Sequence, residues 1–211
     1  MVDFSLYLIT DRTQTAGREL PAVVADALAG GVTCLQLREK DLLSRQLFDY
    51  ARQMRHLTRL HGARLLINDR LDVALAVDAD GAHLGRNSLP IAEARRILGP
   101  ERLIGYSAHA VDEALQAERD GADFVTIGPM FFTPSKAVYG EPLGVGLLEE
   151  VVARLSIPVF ALGGVKKASI PQIMATGCRG VALISAVMAA DDPAGESRSI
   201  LSALEHHVRN V

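Results

Sequence analysis

The chain has 211 residues, 49% hydrophobic and 22% charged, with a formal net charge of −3 and a pI of about 6.1. These values are ordinary for a globular protein and give no electrostatic case for nucleic acid or an anionic membrane as partner. Cys34 and Cys178 fit no C-x-x-C or zinc-ligand spacing, and the apolar run after Met1 lacks a basic flank and is too short for a signal peptide or a membrane span. The expectation is a cytoplasmic protein with no nucleic-acid or membrane partner, and a possible homodimer.

Leu6–Thr10 reads as the first strand, followed by a helix over Leu20–Ala29 that stops at Gly30-Gly31. Cys34–Arg38 is the second strand. Ser44–His61 is the second helix, with Phe48, Met54, Leu57 and Leu60 at helical spacings. Leu65–Asn68 leads into a short helix over Leu71–Val77, Gly81–Leu84 into Ile91–Leu98, and Leu103–Ser107 into Val111–Asp120. Phe124–Gly128 precedes the longest loop and the helix Gly144–Leu155. Val159–Gly163, Ala168–Thr176, Val181–Ser185 and Pro193–Val208 complete the series. Eight apolar strands alternating with helices predict one α/β domain over residues 1–211, a compact (β/α)8 TIM barrel. An open doubly wound sheet shows the same alternation, but no glycine-rich phosphate fingerprint follows the first strand.

In such a barrel the chemistry gathers at the C-terminal ends of the strands. The second strand ends Gln36-Leu37-Arg38-Glu39-Lys40, and alternation sends Gln36 and Arg38 to one side. Two cations and an amide at one mouth suit a phosphate or diphosphate; the alternative is a structural Arg38 paired with a buried carboxylate. Asn68-Asp69-Arg70 ends the third strand, where Asp69 either binds Mg2+ with substrate phosphates or caps the next helix. The fourth strand ends His83-Leu84-Gly85-Arg86-Asn87-Ser88. Ser88 is a helix-cap candidate, Arg86 a phosphate ligand or a solvated charge, and His83 a structural residue or an acid/base group. Ser107 offers a hydroxyl after the fifth strand, and His109 stands near the start of a helix. In the long loop, Thr133, Ser135 and Lys136 offer two hydroxyls and a cation for a phosphate, and Phe131 and Phe132 an apolar wall. Gly163-Gly164 after the seventh strand and Ile184-Ser185 after the eighth match the usual barrel phosphate site.

These residues together resemble the thiamine phosphate synthase family, which includes the related thiazole tautomerases. The resemblance runs over nearly the whole chain, through Tyr7-Leu8-Ile9-Thr10-Asp11, Gln36-x-Arg38-x-Lys40, Asn68-Asp69-Arg70, His83-Leu84-Gly85, Gly128-Pro129, Thr133-x-Ser135-Lys136, Gly163-Gly164 and Ile184-Ser185. It implies a transferase that couples an aminopyrimidine methyl diphosphate with a thiazole phosphate and releases pyrophosphate. Gln36, Arg38, Lys40, Asn68 and Lys136 would then hold the pyrimidine diphosphate, and Asp69 would hold the implied cofactor, Mg2+. Ser107 would contact the pyrimidine or its developing charge. Thr133, Ser135, Gly164, Ile184 and Ser185 would hold the thiazole phosphate. One stretch departs from the family's His-x-Gly-Gln-x-Asp: Arg86 takes the Gln position and Ser88 that of the Asp, a second Mg2+ ligand. A tautomerase-like isomerase and a noncatalytic binder of a thiazole or pyrimidine phosphate are the alternatives. The isomerase would need a proton-transfer group such as His83 or His109.

Overall fold

The computed structural model describes residues 1–132 and 142–208. Thr133, Ser135 and Lys136 therefore lie outside the described residues. Eight parallel strands pair in chain order and close into a barrel: β1 Leu6–Ile9, β2 Cys34–Leu37, β3 Arg64–Asn68, β4 Gly81–Leu84, β5 Leu103–Ala108, β6 Phe124–Ile127, β7 Val159–Leu162 and β8 Gly180–Leu183. The closure, with Leu6 beside Val181 and Leu8 beside Leu183, rules out the open doubly wound sheet.

The helices are α1 Leu20–Ala29, α2 Ser44–Leu60, α3 Leu71–Ala76, α4 Ile91–Leu98, α5 Val111–Arg119, α6 Gly144–Arg154, α7 Ile170–Met174, α8 Ser185–Met188 and α9 Pro193–Val208. Two places differ from expectation. The stretch read as one helix from Ala168 is a 3-10 turn, Lys167–Ser169, followed by α7. Pro171 lies in the first turn of α7, where its missing N–H is no loss. The last strand ends at Leu183, because Ile184 leaves the extended conformation (φ −119, ψ −91) and Ser185 opens α8.

Alternation along each strand divides the core in two. Leu6, Leu8, Leu35, Leu37, Leu65 and Ile67 belong to the large cluster that includes the helix side chains. Their neighbours Tyr7, Ile9, Cys34 and Leu66 form a second cluster with Phe4, Phe124 and Phe160 inside the barrel. The aromatic rings interlock there: Phe4 stacks on Phe160 at 5.1 Å between centroids and meets Phe124 edge-on at 5.5 Å. This packing occupies the barrel interior below the strand ends, and in such barrels ligand sites lie at the C-terminal mouth.

Candidate active site

At the end of β2, alternation separates residues by task. Gln36 is buried and Arg38 half-buried, in phase with the interior residue Cys34. Glu39, one residue out of phase with Arg38, is also buried. It accepts Thr10 Oγ1 at 2.7 Å and the Arg12 backbone N–H at 3.1 Å, and it forms an ion pair with Arg12 at 3.2 Å. The buried carboxylate is therefore taken up by Arg12 and not by Arg38. Thr10 Oγ1 in turn accepts the Arg38 backbone N–H at 2.9 Å, which fixes the chain where Arg38 leaves the strand. Neither Arg38 nor Lys40 makes an ion pair among the described residues. Their charge is nonetheless felt. Burial opposes ionisation of Asp11, but bonds from Thr13 and Gln14 and the Arg38 charge hold its carboxyl below the ordinary range.

The end of β3 stands beside the end of β4, with Asn68 paired to His83. Asp69 takes a left-handed backbone (φ 60), which Asp tolerates better than most residues. Its side chain caps no helix: α3 has Arg70 at its N-cap with no side-chain bond. Asp69 Oδ2 instead accepts Asn68 Nδ2 at 2.7 Å, and Oδ1 accepts the Ser88 hydroxyl. Ser88 is not a helix cap either, since Pro90 holds that place in α4. Its Oγ accepts the Gly85 N–H at 2.7 Å and turns the hydroxyl proton toward Asp69. The sequence-distant positions 69 and 88 thus meet. Arg86 points elsewhere, into an ion pair with Glu113, and its side chain is 71% exposed.

The donor set at this spot is one carboxylate, one hydroxyl and one amide. Mg2+ prefers hard oxygen ligands and is commonly held by one or two carboxylates plus substrate phosphates. Asp69 and Ser88 fit that requirement at its lower limit.

One feature of the interior escapes a reading by strand ends. Gln36 Nε2 donates to Tyr7 Oη at 2.8 Å, and Tyr7 Oη lies 3.2 Å from His83 Nδ1. His83 Nε2 lies 2.9 Å from Ser107 Oγ, which lies 3.2 Å from Thr126 Oγ1. Burial, then the charges of Arg38 and Lys40, push the His83 pKa down to about 3, so its ring is neutral. Burial also holds the Tyr7 hydroxyl well above its ordinary value, so it keeps its proton. Gly105 makes room for this row. A Cβ there would lie 2.4 Å from His83 Nδ1 and 2.3 Å from the Phe124 ring.

Across the mouth, Gly163 and Gly164 have φ of +92° and +68°. A Cβ on Gly164 would lie 2.6 Å from the Phe131 carbonyl oxygen. Both positions need glycine, because the chain after β6 packs directly on them: Met130 N bonds Leu162 O, and Phe131 N bonds Gly163 O. Phe131 is half-buried and Phe132 69% exposed. Ile184 and Ser185 lie at the β8–α8 junction, Ser185 exposed. His109 lies just before α5, where its Nδ1 is 2.5 Å from the Gly128 carbonyl oxygen.

Comparison with known proteins gives concordant matches. The family described as thiamine monophosphate synthase (TMP-TENI) matches residues 6–187. A protein of Geobacter sulfurreducens, provisionally named a thiamine-phosphate synthase, is 57% identical over 99% of this chain and 98% of its own. The thiamine-phosphate synthase of Clostridium novyi is 44% identical over 94% of this chain and 98% of its own. Among solved structures, the thiamine phosphate pyrophosphorylase from Pyrococcus furiosus superposes with a TM-score of 0.89 at 37% identity. That match covers 97% of this chain and 96% of the other.

Proposed function

The chain belongs to the thiamine monophosphate synthase family, and from that premise we infer that it is a thiamine-phosphate synthase, a transferase. It joins an aminopyrimidine methyl diphosphate to a thiazole phosphate and releases pyrophosphate. The chemical task is to stabilise a departing diphosphate and the pyrimidine cation left behind, which calls for fixed cations and dipoles more than for a strong base. The observation that carries this reading is the pair Arg38 and Lys40, two cations at one strand end without a carboxylate ion pair among the described residues. The buried Glu39 that would otherwise neutralise Arg38 is bound to Arg12.

In this reading Arg38, Lys40 and Asn68 hold the diphosphate, while Gln36 and Ser107 face the pyrimidine ring. Asp69, with the Ser88 hydroxyl beside it, would hold Mg2+, which when bound supplies further positive charge to the leaving oxygens. Gly164, Ile184 and Ser185 hold the thiazole phosphate together with Thr133 and Ser135, and Lys136 joins the ligands of the diphosphate; these last three lie outside the described residues. Arg86 is committed to Glu113 and reaches ligand only by giving up that pair. The isomerase alternative gains no support: both nitrogens of the buried His83 are hydrogen-bonded, and His109 spends Nδ1 on a backbone carbonyl.

The test is thiamine phosphate formation from the two substrates, with Mg2+ and with a chelator. Turnover is expected with Mg2+ and its loss with the chelator. Arg38→Ala should lower kcat about 100-fold, the scale for removing one preorganised charge contact. No product from the wild-type protein with both substrates and Mg2+ present would overturn the reading.

A further inference from the structure

The row Gln36–Tyr7–His83–Ser107–Thr126 crosses the barrel interior on five strands, and four of its members are buried. Buried polar side chains are tolerated when every donor and acceptor is matched, and a matched row has a direction. Gln36 Nε2 can only donate, so Tyr7 Oη accepts from it. The single Tyr7 proton is then left for His83 Nδ1. A neutral imidazole carries one ring proton, so with Nδ1 accepting, that proton sits on Nε2 and goes to Ser107 Oγ.

The result inverts the familiar pairing of a serine with a histidine. In the Nε2–H tautomer His83 has no lone pair facing Ser107 and cannot take its proton, so the pair then makes no nucleophile. What it makes is a donor. Ser107 is half-buried at the end of β5, within reach of the mouth. Its oxygen accepts from His83 and has room for a second bond from the Thr126 hydroxyl. With Thr126 Oγ1 donating across the 3.2 Å contact, the one Ser107 proton is left for a ligand, and a hydroxyl that accepts hydrogen bonds donates its own more strongly.

We propose that Tyr7 and His83 are positioning residues that lock the Nε2–H tautomer of His83, so that the Ser107 hydroxyl is presented as a donor to an acceptor atom of the bound pyrimidine. This rests on the placement of Ser107 against the pyrimidine proposed above. Gln36 starts the row and Ser107 lies further along it, so one chain of bonds ties together the two groups that the proposed function places against the pyrimidine. Gly105 belongs to the same device, since any larger residue there strikes His83 Nδ1.

The test has a spectroscopic and a kinetic arm. In protein labelled with 15N-histidine, the His83 signals at neutral pH should show a protonated Nε2 and a bare Nδ1. A protonated Nδ1 would overturn the proposal outright. For kinetics, His83→Gln places an amide N–H near the Nε2 position, whereas His83→Asn places its polar atoms near Nδ1. His83→Gln should retain kcat within about fivefold of wild type, and His83→Asn should lose about tenfold or more, the scale of one hydrogen bond. Tyr7→Phe should mix the two tautomers in the 15N spectrum and lower kcat while the protein stays folded by circular dichroism. Equal kcat for His83→Gln and His83→Asn beside an active wild type would overturn the positioning role alone. An inactive wild type would overturn the proposed function and the pyrimidine contact with it, whatever the tautomer.

Discussion

Ser88 shows how one side chain sets the character of a site. Its hydroxyl donates to Asp69, and Asn68 donates to the other carboxylate oxygen. Asp69 is thus oriented but remains the only carboxylate of the pair, so a divalent cation must draw its remaining ligands from water and substrate phosphates. Ser88→Asp puts a second carboxylate beside the first. Divalent binding without substrates, followed by the Mn2+ paramagnetic signal, should tighten about tenfold, since ligand charge count governs such affinities. Unchanged binding would show that positions 69 and 88 do not share a cation. Both residues could be singled out from the sequence, because each closes a strand-end cluster. Their meeting could not, since it depends on the β3–β4 register and on the turn that Ser88 closes with Gly85. The buried row from Gln36 to Thr126 was hidden for the same reason. Each member sits on a different strand, and alternation tells which way a residue points but not which residue it meets. His83 alone reads as a structural histidine; only the neighbours Tyr7 and Ser107 give it a direction.

At the scale of elements, the strand ends away from the mouth are fastened by a repeated device. Asp80, just before β4, donates its backbone N–H to Leu65 O, accepts the Leu65 N–H at 2.8 Å, and pairs with Arg55 of α2 at 2.6 Å. Asp123, just before β6, repeats the pattern with Ile104 at 2.6 Å and with Arg95 of α4 at 2.6 Å. Each aspartate ties a strand, its neighbour and a covering helix into one unit. Asp123→Ala leaves a half-buried guanidinium and a strand N–H without that acceptor, at a cost of about 2–3 kcal/mol. The thermal midpoint should fall by about 5–10 °C, with kcat and KM unchanged, because the site lies at the other end of the strands. A changed kcat at a temperature where the variant is folded would contradict that separation. The strands and longer helices were legible because apolar runs and glycine stops are local signals. The fasteners were not, since an Asp before a strand looks like any turn residue until its arginine is seen. The short α8 escaped too, because its four residues carry no helical period.

For the whole molecule, the decisive event is closure of β8 on β1, which turns eight neighbouring pairs into a ring without edges. Strand order was readable from sequence because every pairing but this one joins consecutive units. The seam depends on Gly180. A Cβ there would lie 1.9 Å from the Ser5 carbonyl oxygen, the atom that accepts the Val181 N–H at 2.9 Å. Backbone meets backbone, so no side chain can swing aside to relieve the clash. Gly180→Ala must push β8 away from β1, and it should cost about 3 kcal/mol or more. Gly146 provides the opposite case. It lies inside α6 with nothing within 4 Å of a built Cβ and without a positive φ. Gly146→Ala should raise stability by about 0.5–1 kcal/mol through helix propensity alone. Thermal unfolding of the two variants side by side separates the causes, since the covalent change is identical and only the surroundings differ. A Gly180→Ala protein as stable as wild type would mean that the barrel tolerates an opened seam, and closure would then not be what holds the eight units together.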